Sequence, residues 1–286
     1  MKKTLLFLCF VIFCVTTSFA VCDYTEQCPN NEFALSSKSW RKFSNKIGAT
    51  MLSEKVAEAR IKKELKKVTD QKLNVSVKSY SFQDTLQGRL HSIIISGKNL
   101  NLEGVYLSSL ELKTLCDFNY VQIDKNPIQF KENMIIRFTT VISDQDLMKT
   151  MKSNGYLNKL NCVNVKGCGI TFFKLSGAGV SIKNDKLNFK VKVTSELLLE
   201  KPLDIDISSD LTIKDGRIVF TKVDLGNIST NVDLSRVGSR LNAMNPLIFS
   251  LDVLENKNTK MCIKSVKIVE DKVIVVGNVF IPKTVL

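Results

Sequence analysis

Apolar alternation with a period of two is the feature that most constrains this chain. It begins with Leu73, Val75 and Val77 and continues in short runs that glycine or proline separates, as in "LQGRLHSIIISGKNLNLEGVYLSSLELK" and "NMIIRFTTVI". A period of two places successive side chains on opposite faces of a strand. At least five strand candidates in about 70 residues predict a mainly antiparallel sheet, because short turns join only antiparallel neighbours.

Turn signals separate further strand patterns in the second half of the chain. We expect hairpins at Asn184-Asp185, at Asp215-Gly216 and at Glu270-Asp271. Two-residue turns of this kind favour residues that tolerate a positive φ, and Asp-Gly is the strongest signal among them. Alternating residues continue on both sides of each turn, so all three segments are predicted to be antiparallel.

Two short helices are expected between the strand patterns. The segment "SDQDLMKTMKSNG" offers Ser143 or Asp144 as the N-cap, an apolar face and Gly155 as the stop. A second helix is predicted over residues 234–243, ended by Pro246, because proline cannot continue a helix.

A longer helix is predicted over residues 39–69, which contain no proline. Its apolar residues lie three and four apart, namely Phe43, Ile47, Met51, Ile61, Leu65 and Val68. This spacing is typical of an amphipathic helix with one apolar stripe packed on the rest of the protein. Val56 and Ala59 fall off the stripe, which indicates a bend or a second contact surface.

Basic residues cluster at the end of this helix, at Arg60, Lys62, Lys63, Lys66 and Lys67. One interpretation is a solvated face, because cations suit the negative end of a helix dipole. The alternative is a patch that attracts anionic lipid headgroups.

Residues 1–20 have the three parts of a secretory signal: Lys2 and Lys3, an apolar run, and the small-x-small site Ser18-Phe19-Ala20. The alternative of an uncleaved anchor is disfavoured, because the run is short of the roughly 20 residues of a spanning helix. We therefore predict a signal peptide over 1–20, a polar leader over 21–38 and a single domain over 39–286. The protein is expected to be exported to the periplasm or cell envelope.

Six cysteines follow the signal, and in an exported chain an even number indicates disulfides. Sequence proximity suggests two short loops, Cys22 with Cys28 and Cys162 with Cys168, which leaves Cys116 with Cys262. A zinc site is the alternative, but the five-residue spacers are wide for a zinc knuckle and the only histidine, His91, lies far away.

The net charge of +13 indicates attraction to anionic partners. For an exported protein, these partners are phospholipid headgroups, an anionic membrane surface or acidic glycans; nucleic acid is not expected. The charge alone does not identify a protein partner.

No pattern of residues predicts catalysis, a metal or a cofactor. His91 lies in a strand pattern without a candidate nucleophile beside it. The glycine-rich segment 175–182 lacks the lysine and hydroxyl residue of a phosphate loop. Asp204 and Asp206 share one strand face, but neither the glycine nor the glutamate of a calcium loop follows them. A structural histidine and a solvated acidic face are the expected outcomes.

The strands instead indicate a large apolar surface, because many of them carry large aliphatic residues on one face. Such a face must be covered by a helix or by another sheet. A long helix lying along a curved sheet can leave an apolar groove for an acyl chain. The alternative is a fully packed core, and composition does not decide between the two.

The order of these motifs resembles the LmeA-like phospholipid-binding family over about residues 55–280. The similarity rests on Gly88 and Leu90, on Leu100, Leu102 and Gly104, on Leu107, Leu110 and Leu112, on Asp146 and Leu147, and on the closing segment 247–277. Met148 stands where the family often has asparagine, and the cysteines are not part of its pattern. The resemblance implies a non-enzymatic α+β envelope protein with a groove like those of tubular lipid-binding folds.

Our leading hypothesis is therefore an exported protein that binds phospholipid acyl chains in an apolar groove. The expected groove wall is formed by aliphatic residues of the strands: Ile93, Ile95, Leu100, Leu102, Leu107, Leu110 and Leu112. The basic cluster at residues 60–67 would attract the headgroup. The alternative is a structural or adhesive envelope protein that binds acidic glycan or a protein partner through its basic surface.

Overall fold

The computed structural model describes residues 22, 28, 35–67, 69–125, 128–156, 174–194, 203–225, 245–252 and 259–284. Within them the fold is α+β with mainly antiparallel, curved sheets; the alternation predicted the antiparallel pairing, and the resemblance implied the α+β form. The helices are α1 (Lys38–Lys46), α2 (Ala49–Leu65), α3 (Phe82–Leu86), α4 (Asp144–Met151) and α5 (Pro246–Asp252). The predicted helix at 234–243 and the Cys162–Cys168 pair lie outside the described residues.

The strands form an eight-stranded and a four-stranded sheet. The strands of the large sheet are β1 (Asn74–Ser79), β2 (Arg89–Leu102), β3 (Val105–Thr114), β4 (Asn119–Gln122), β5 (Gln129–Phe130), β6 (Met134–Ser143), β11 (Lys260–Val269) and β12 (Lys272–Ile281). The small sheet contains β7 (Lys174–Lys183), β8 (Lys186–Thr194), β9 (Leu203–Lys214) and β10 (Arg217–Leu225).

The large sheet combines strands from residues 74–143 with the C-terminal hairpin at 260–281. Its order is β11-β12-β6-β3-β2-β4-β5, and β1 pairs with β2 on the edge opposite β3. Strand β12 lies antiparallel to β6 along its whole length, from Lys272 beside Ser143 to Ile281 beside Met134. The C-terminal hairpin therefore completes a sheet that the first half of the chain begins.

All three predicted hairpin turns are confirmed. Residues Asn184-Asp185 join β7 to β8, Asp215-Gly216 join β9 to β10, and Glu270-Asp271 join β11 to β12, and in each pair both residues have a positive φ. Two successive residues with positive φ match the right-handed twist of the strands that they connect. The small sheet, with the order β10-β9-β8-β7, is a simple antiparallel meander.

Helix α4 follows β6 directly and starts as its sequence predicts. The Ser143 hydroxyl accepts the Asp146 N–H at 3.2 Å, and the Asp146 carboxylate accepts the Ser143 N–H at 3.0 Å. This reciprocal pair is a capping box with aspartate in place of the more common glutamate. Helix α5 begins at Pro246, after the Asn245 side chain accepts the Leu247 N–H, so this proline starts a helix.

The continuous helix predicted over residues 39–69 is wrong in one respect. The segment is two helices that are separated at Ile47 and Gly48, where Gly48 adopts φ 74°. A left-handed residue interrupts a helix, and glycine adopts it at the lowest cost. The predicted stripe is divided accordingly: Ile61 is buried and Leu65 partly buried, whereas Phe43, Ile47 and Met51 are exposed.

The buried side of α2 is polar in its first half. Thr50, Ser53, Glu54 and Glu58 are buried there, and only Ala57 and Ile61 add apolar contacts among the buried residues. The Glu54 and Glu58 carboxylates accept the backbone N–H groups of Ser79 and Val77. Because β1 is an edge strand, these carboxylates satisfy donors that no neighbouring strand reaches.

Two apolar clusters form the core. The larger one, the inter-sheet cluster, joins β3, β6, β11 and β12 of the large sheet to the small sheet, α4 and α5, and includes Leu107, Phe138, Leu147 and Leu187. The smaller one, the α2 cluster, lies between α2 and strands β1, β2, β4 and β6 and is built around Ala57, Val77, Leu90 and Met134. The large sheet thus supports both clusters at different positions along its strands.

Among the described residues, disulfides join Cys22 to Cys262 and Cys28 to Cys116. The expected Cys22–Cys28 and Cys116–Cys262 pairs are therefore wrong. Short sequence separation favoured those pairs, but the fold places the two leader cysteines beside different parts of the large sheet, at β11 and after β3. The leader is thereby anchored at two positions across the domain.

Candidate functional site

Half-buried aliphatic residues lie side by side on neighbouring strands of the large sheet. Ile95 on β2 faces Leu112 on β3 as a cross-strand partner, and Ile136 on β6 faces Thr114, two residues further along β3. Ile281 on β12 continues this row beside Met134. All four keep part of their surface exposed. We call Ile95, Leu112, Ile136 and Ile281 the aliphatic strip.

The aliphatic strip lies where the two core clusters meet. Leu112 packs against the inter-sheet cluster, Ile95 and Ile136 pack against the α2 cluster, and Ile281 packs against both. Two cross-strand neighbours of the strip are buried: Val75, beside Ile95, is 6% exposed, and Phe138, beside Leu112, is 0% exposed. The strip is thus a boundary at which apolar surface remains uncovered on a sheet that is otherwise well packed.

The seven residues predicted as groove wall separate into two groups. Ile93, Leu100, Leu107 and Leu110 are buried, the first in the α2 cluster and the others in the inter-sheet cluster. Ile95, Leu102 and Leu112 are partly exposed and retain surface for a ligand. Of the predicted wall, the structure therefore brings Ile95 and Leu112 together in the strip, whereas the buried residues support the sheet from within.

Two members of the strip, Ile136 and Ile281, could not be identified from the sequence pattern. Ile136 belongs to the uninterrupted run Met134–Ile136, where alternation does not tell which residue faces the core. Ile281 is the last residue of β12 and lies outside the strands from which the groove wall was predicted. Ile281 joins the strip because the end of β12 pairs with the start of β6. That pairing depends on the register of the whole sheet, which a pattern within one strand does not reveal.

The basic cluster lies on the outer side of the C-terminal half of α2. Lys62, Lys63, Lys66 and Lys67 are exposed, while Ile61 and Leu65 on the inner side pack in the α2 cluster together with Ile95 and Ile136. Lys67 pairs with Glu64 at 2.7 Å, and this hydrogen bond lowers the pKa of Glu64. Arg60 instead donates to the Asp124 carbonyl oxygen at 3.3 Å. The lysines are thus on the same helix turns as residues that border the strip.

A cavity of about 550 Å³ lies on the small sheet, next to α4. Met148, Val180, Phe189 and Ile207 give it an apolar part, and a polar part includes the Lys190–Asp206 ion pair at 3.1 Å. Its volume is within the range of about 300–1,000 Å³ of small-molecule sites. Asp206 was expected on a solvated strand face. In the structure it lies in the wall of this cavity and is paired with Lys190.

His91 is exposed on β2 and lies near acidic and aromatic neighbours. Its Nε2 atom is 3.9 Å from the Asp117 carboxylate, and its ring centroid is 5.4 Å from that of Tyr80. Cys116, close to it in sequence, is held in the disulfide to Cys28. Within the described residues no group of three or more His, Cys, Asp and Glu side chains is placed to hold a metal ion.

A curved sheet with uncovered aliphatic surface and a basic helix beside it is suited to an amphiphilic ligand, since one part is apolar and the other cationic. The profile of the LmeA-like phospholipid-binding family matches residues 48–278. Because this match covers most of the chain, the protein belongs to that family. Neither a curated protein nor a solved structure gives a significant match. Helices long and apolar enough to cross a membrane are absent from the part of the chain that is described.

Proposed function

We propose that the protein is exported to the cell envelope and binds phospholipid there without catalysing a reaction. An acyl chain lies along the aliphatic strip, and the headgroup lies toward the lysines of α2. The observation that carries this proposal is the uncovered surface of Ile95 and Leu112, adjacent on two strands, in a chain whose family is defined by phospholipid binding.

The driving force for acyl binding is the burial of apolar surface. Each methylene that leaves water contributes about 0.8 kcal/mol, so contact over several methylenes supplies useful affinity. The strip extends this contact across β2, β3, β6 and β12, because its four members follow the strand order of the sheet. An extended chain crossing the strands can therefore touch each of them in turn.

The lysines supply attraction to an anionic headgroup. Lys62, Lys63 and Lys66 are exposed at the end of α2. Helix dipoles are negative at this end, so the lysines are favourably placed there, and they remain accessible to phosphate. A phospholipid bound in this way has its acyl chain against the apolar strip and its phosphate beside these lysines.

Export is supported by cysteine usage. Cys22–Cys262 and Cys28–Cys116 close long loops within the domain, and disulfides of this kind persist in oxidising compartments. Residues 1–20 have the features of a signal peptide. These features favour an envelope location over the cytosol.

The test is lipid extraction and lipid transfer with a matched pair of variants. Purified protein is extracted for mass spectrometry, and uptake of a fluorescent phospholipid from vesicles is then followed for Ile95→Gln and for Ile94→Gln. Ile94 is the adjacent residue of β2, is also partly exposed and points to the opposite face. We expect Ile95→Gln to reduce uptake several-fold and Ile94→Gln to leave it near the wild-type level.

Thermal unfolding of both variants separates a lost site from a lost fold. Absence of phospholipid in the extract together with absence of uptake by the wild-type protein would refute lipid binding and favour the structural or adhesive alternative. Equal uptake by the two variants would place the acyl chain away from the strip.

A further inference from the structure

Helix α1, the first half of α2 and helix α3 have their polar sides inside and their apolar sides outside. Among the described residues, the exposed large apolar side chains are concentrated here: eight of nine lie between residues 40 and 86, and Val269 is the ninth. They are Trp40, Phe43 and Ile47 from α1 and its end, Met51, Leu52 and Val56 from α2, and Phe82 and Leu86 from α3. We call this surface the outer helical face.

The interior of the three helices is held by polar contacts. The Ser44 and Thr50 hydroxyls are 2.7 Å apart, and Ser53 donates to the Thr85 hydroxyl at 2.9 Å. Ser81 donates to Asp84, which is 0% exposed. Helices of a water-soluble domain normally bury the apolar side and expose the polar one. Among the described residues, this inverted arrangement leaves the outer helical face exposed.

Scattered exposure does not explain the outer helical face. Single apolar residues at a surface are ordinary, but a contiguous patch marks an interaction site. The eight residues are 36–67% exposed. The three helices pack against one another, as the contacts of Ser44 with both Thr50 and the Phe82 N–H show. Their outward sides therefore form one surface.

The charges around this face are basic. Helix α1 carries Lys38, Arg41, Lys42 and Lys46 and no acidic residue, and the exposed Lys55 of α2 is paired with Glu58 at 2.8 Å. The acidic side chains closest in sequence to these residues, Glu54, Glu58 and Asp84, are buried, and the two glutamates accept N–H groups of β1. The surface consequently presents aromatic and aliphatic groups with cations beside them.

This composition fits a lipid bilayer better than a protein. Helices that lie in a membrane interface combine Trp, Phe and Leu on one side with Lys and Arg on the other. Lysine is depleted at protein interfaces, whereas anionic headgroups attract it. We propose that the outer helical face is a docking surface that inserts Trp40, Phe43 and Leu52 into the interface of an anionic phospholipid bilayer. This inference is independent of the acyl site on the aliphatic strip.

Trp40 provides a direct reporter, because it is the only tryptophan of the chain. The chain from residue 21 onward is mixed with vesicles of phosphatidylcholine alone or of phosphatidylcholine with phosphatidylglycerol. We expect the Trp40 emission to shift to the blue with the anionic vesicles, and acyl-brominated lipid to quench it. High salt should weaken the effect, because it screens the cations.

A matched pair of variants identifies the surface that docks. Leu52→Ser removes an exposed apolar side chain within the outer helical face, and Val269→Ser removes one outside it. We expect Leu52→Ser to weaken vesicle binding by about tenfold, because burying a leucine side chain contributes that much or more. Val269→Ser is expected to bind like the wild-type protein. Lys42→Glu together with Lys46→Glu should remove the preference for anionic vesicles.

Two results would overturn the proposal. One is an unchanged Trp40 emission with anionic vesicles at low salt, and the other is equal vesicle binding by Leu52→Ser and Val269→Ser. A blue shift that grows with protein concentration in the absence of vesicles would instead assign the face to a second copy of the chain. The two proposals can fail independently, because phospholipid uptake on the strip is measured in a separate assay. Absence of uptake would not change the Trp40 emission that vesicles are expected to produce.

Discussion

The Glu58 carboxylate accepts the backbone N–H of Val77 at 3.2 Å, across the contact between α2 and the edge strand β1. Glu54 makes the same contact one helical turn earlier, with the Ser79 N–H at 2.8 Å. The spacing of four residues on a helix matches the spacing of two on a strand. Helix α2 therefore covers the sheet edge with carboxylates, which leaves its apolar residues Leu52 and Val56 to face outward.

Removing this acceptor should destabilise the fold. We expect Glu58→Ala to reduce the free energy of unfolding by about 1–3 kcal/mol, because the buried Val77 N–H loses its partner. Urea unfolding at neutral pH measures the difference. Glu64→Ala is the matched control on the same helix, since Glu64 pairs with Lys67 and accepts no strand N–H, and it should change stability little. Equal losses in both variants would show that the contact with β1 is unimportant.

The contribution of Glu58 should also depend on pH. Burial alone raises the pKa of Glu58, but the hydrogen bonds from Lys55 and the Val77 N–H, with the charges of Lys55 and Lys62, lower it below its ordinary value of 4.5. A carboxyl whose pKa is lower in the folded state stabilises the fold above its unfolded pKa and loses this effect as the pH falls through the folded one.

The stability difference between the wild-type protein and Glu58→Gln should therefore be full at neutral pH and shrink below pH 4.5. Urea unfolding of both proteins from neutral pH into acid measures it. A difference that stays constant or grows in acid would contradict the assignment.

At Gly277, the backbone of β12 lies very close to β11 and to the core. A Cβ atom at this position would lie 2.6 Å from both the Cys262 carbonyl oxygen and the Phe138 ring. We expect Gly277→Ala to cost about 1–3 kcal/mol in the free energy of unfolding, because the well-packed sheet must shift to accept it. Gly179→Ala in β7 is the control, since its Cβ would meet only ordinary contacts at 3.9 Å or more. An unchanged free energy of unfolding in Gly277→Ala would mean that β12 can shift at little cost.

Local signals were sufficient for much of this fold. The turn at Asp215-Gly216 and the N-cap of α4 at Ser143 depend on neighbouring residues alone. The turn was predicted from the sequence, and Ser143 was one of the two N-caps predicted. The exposed stripe of Phe43, Ile47 and Met51 was not. Helical spacing identifies an apolar side of a helix but not what it meets, and here buried carboxylates take the inner side.

Long-range pairing limited the remaining predictions. The partner of Cys22 is 240 residues away, and neither spacing nor composition contains that information. The aliphatic strip depends in the same way on β12 lying beside β6, which brings Ile281 next to Met134. Sequence patterns gave the alternating faces of single strands, whereas the site depends on the order and register in which the strands meet.

The two disulfides should be recovered as long-range pairs. Non-reducing peptide mapping of the protein is expected to yield Cys22 linked to Cys262 and Cys28 linked to Cys116. Replacing Cys28 and Cys116 together by serine should reduce the free energy of unfolding by about 2–4 kcal/mol, since the cross-link restricts the unfolded chain. A peptide in which Cys22 is bonded to Cys28 would contradict this arrangement.

The lysines at the end of α2 should control the affinity for anionic phospholipid and its dependence on salt. We expect Lys63→Gln with Lys66→Gln to weaken binding of anionic phospholipid, because each lysine near a negative surface contributes about 1 kcal/mol. The control is Lys267→Gln with Lys272→Gln, which removes the same charge from exposed positions on the β11–β12 hairpin. Its affinity should fall less, and its salt dependence should remain close to that of the wild type. Titrations of anionic and zwitterionic phospholipid at two ionic strengths measure both effects, and equal losses in the two variants would mean that only the net charge of the protein matters.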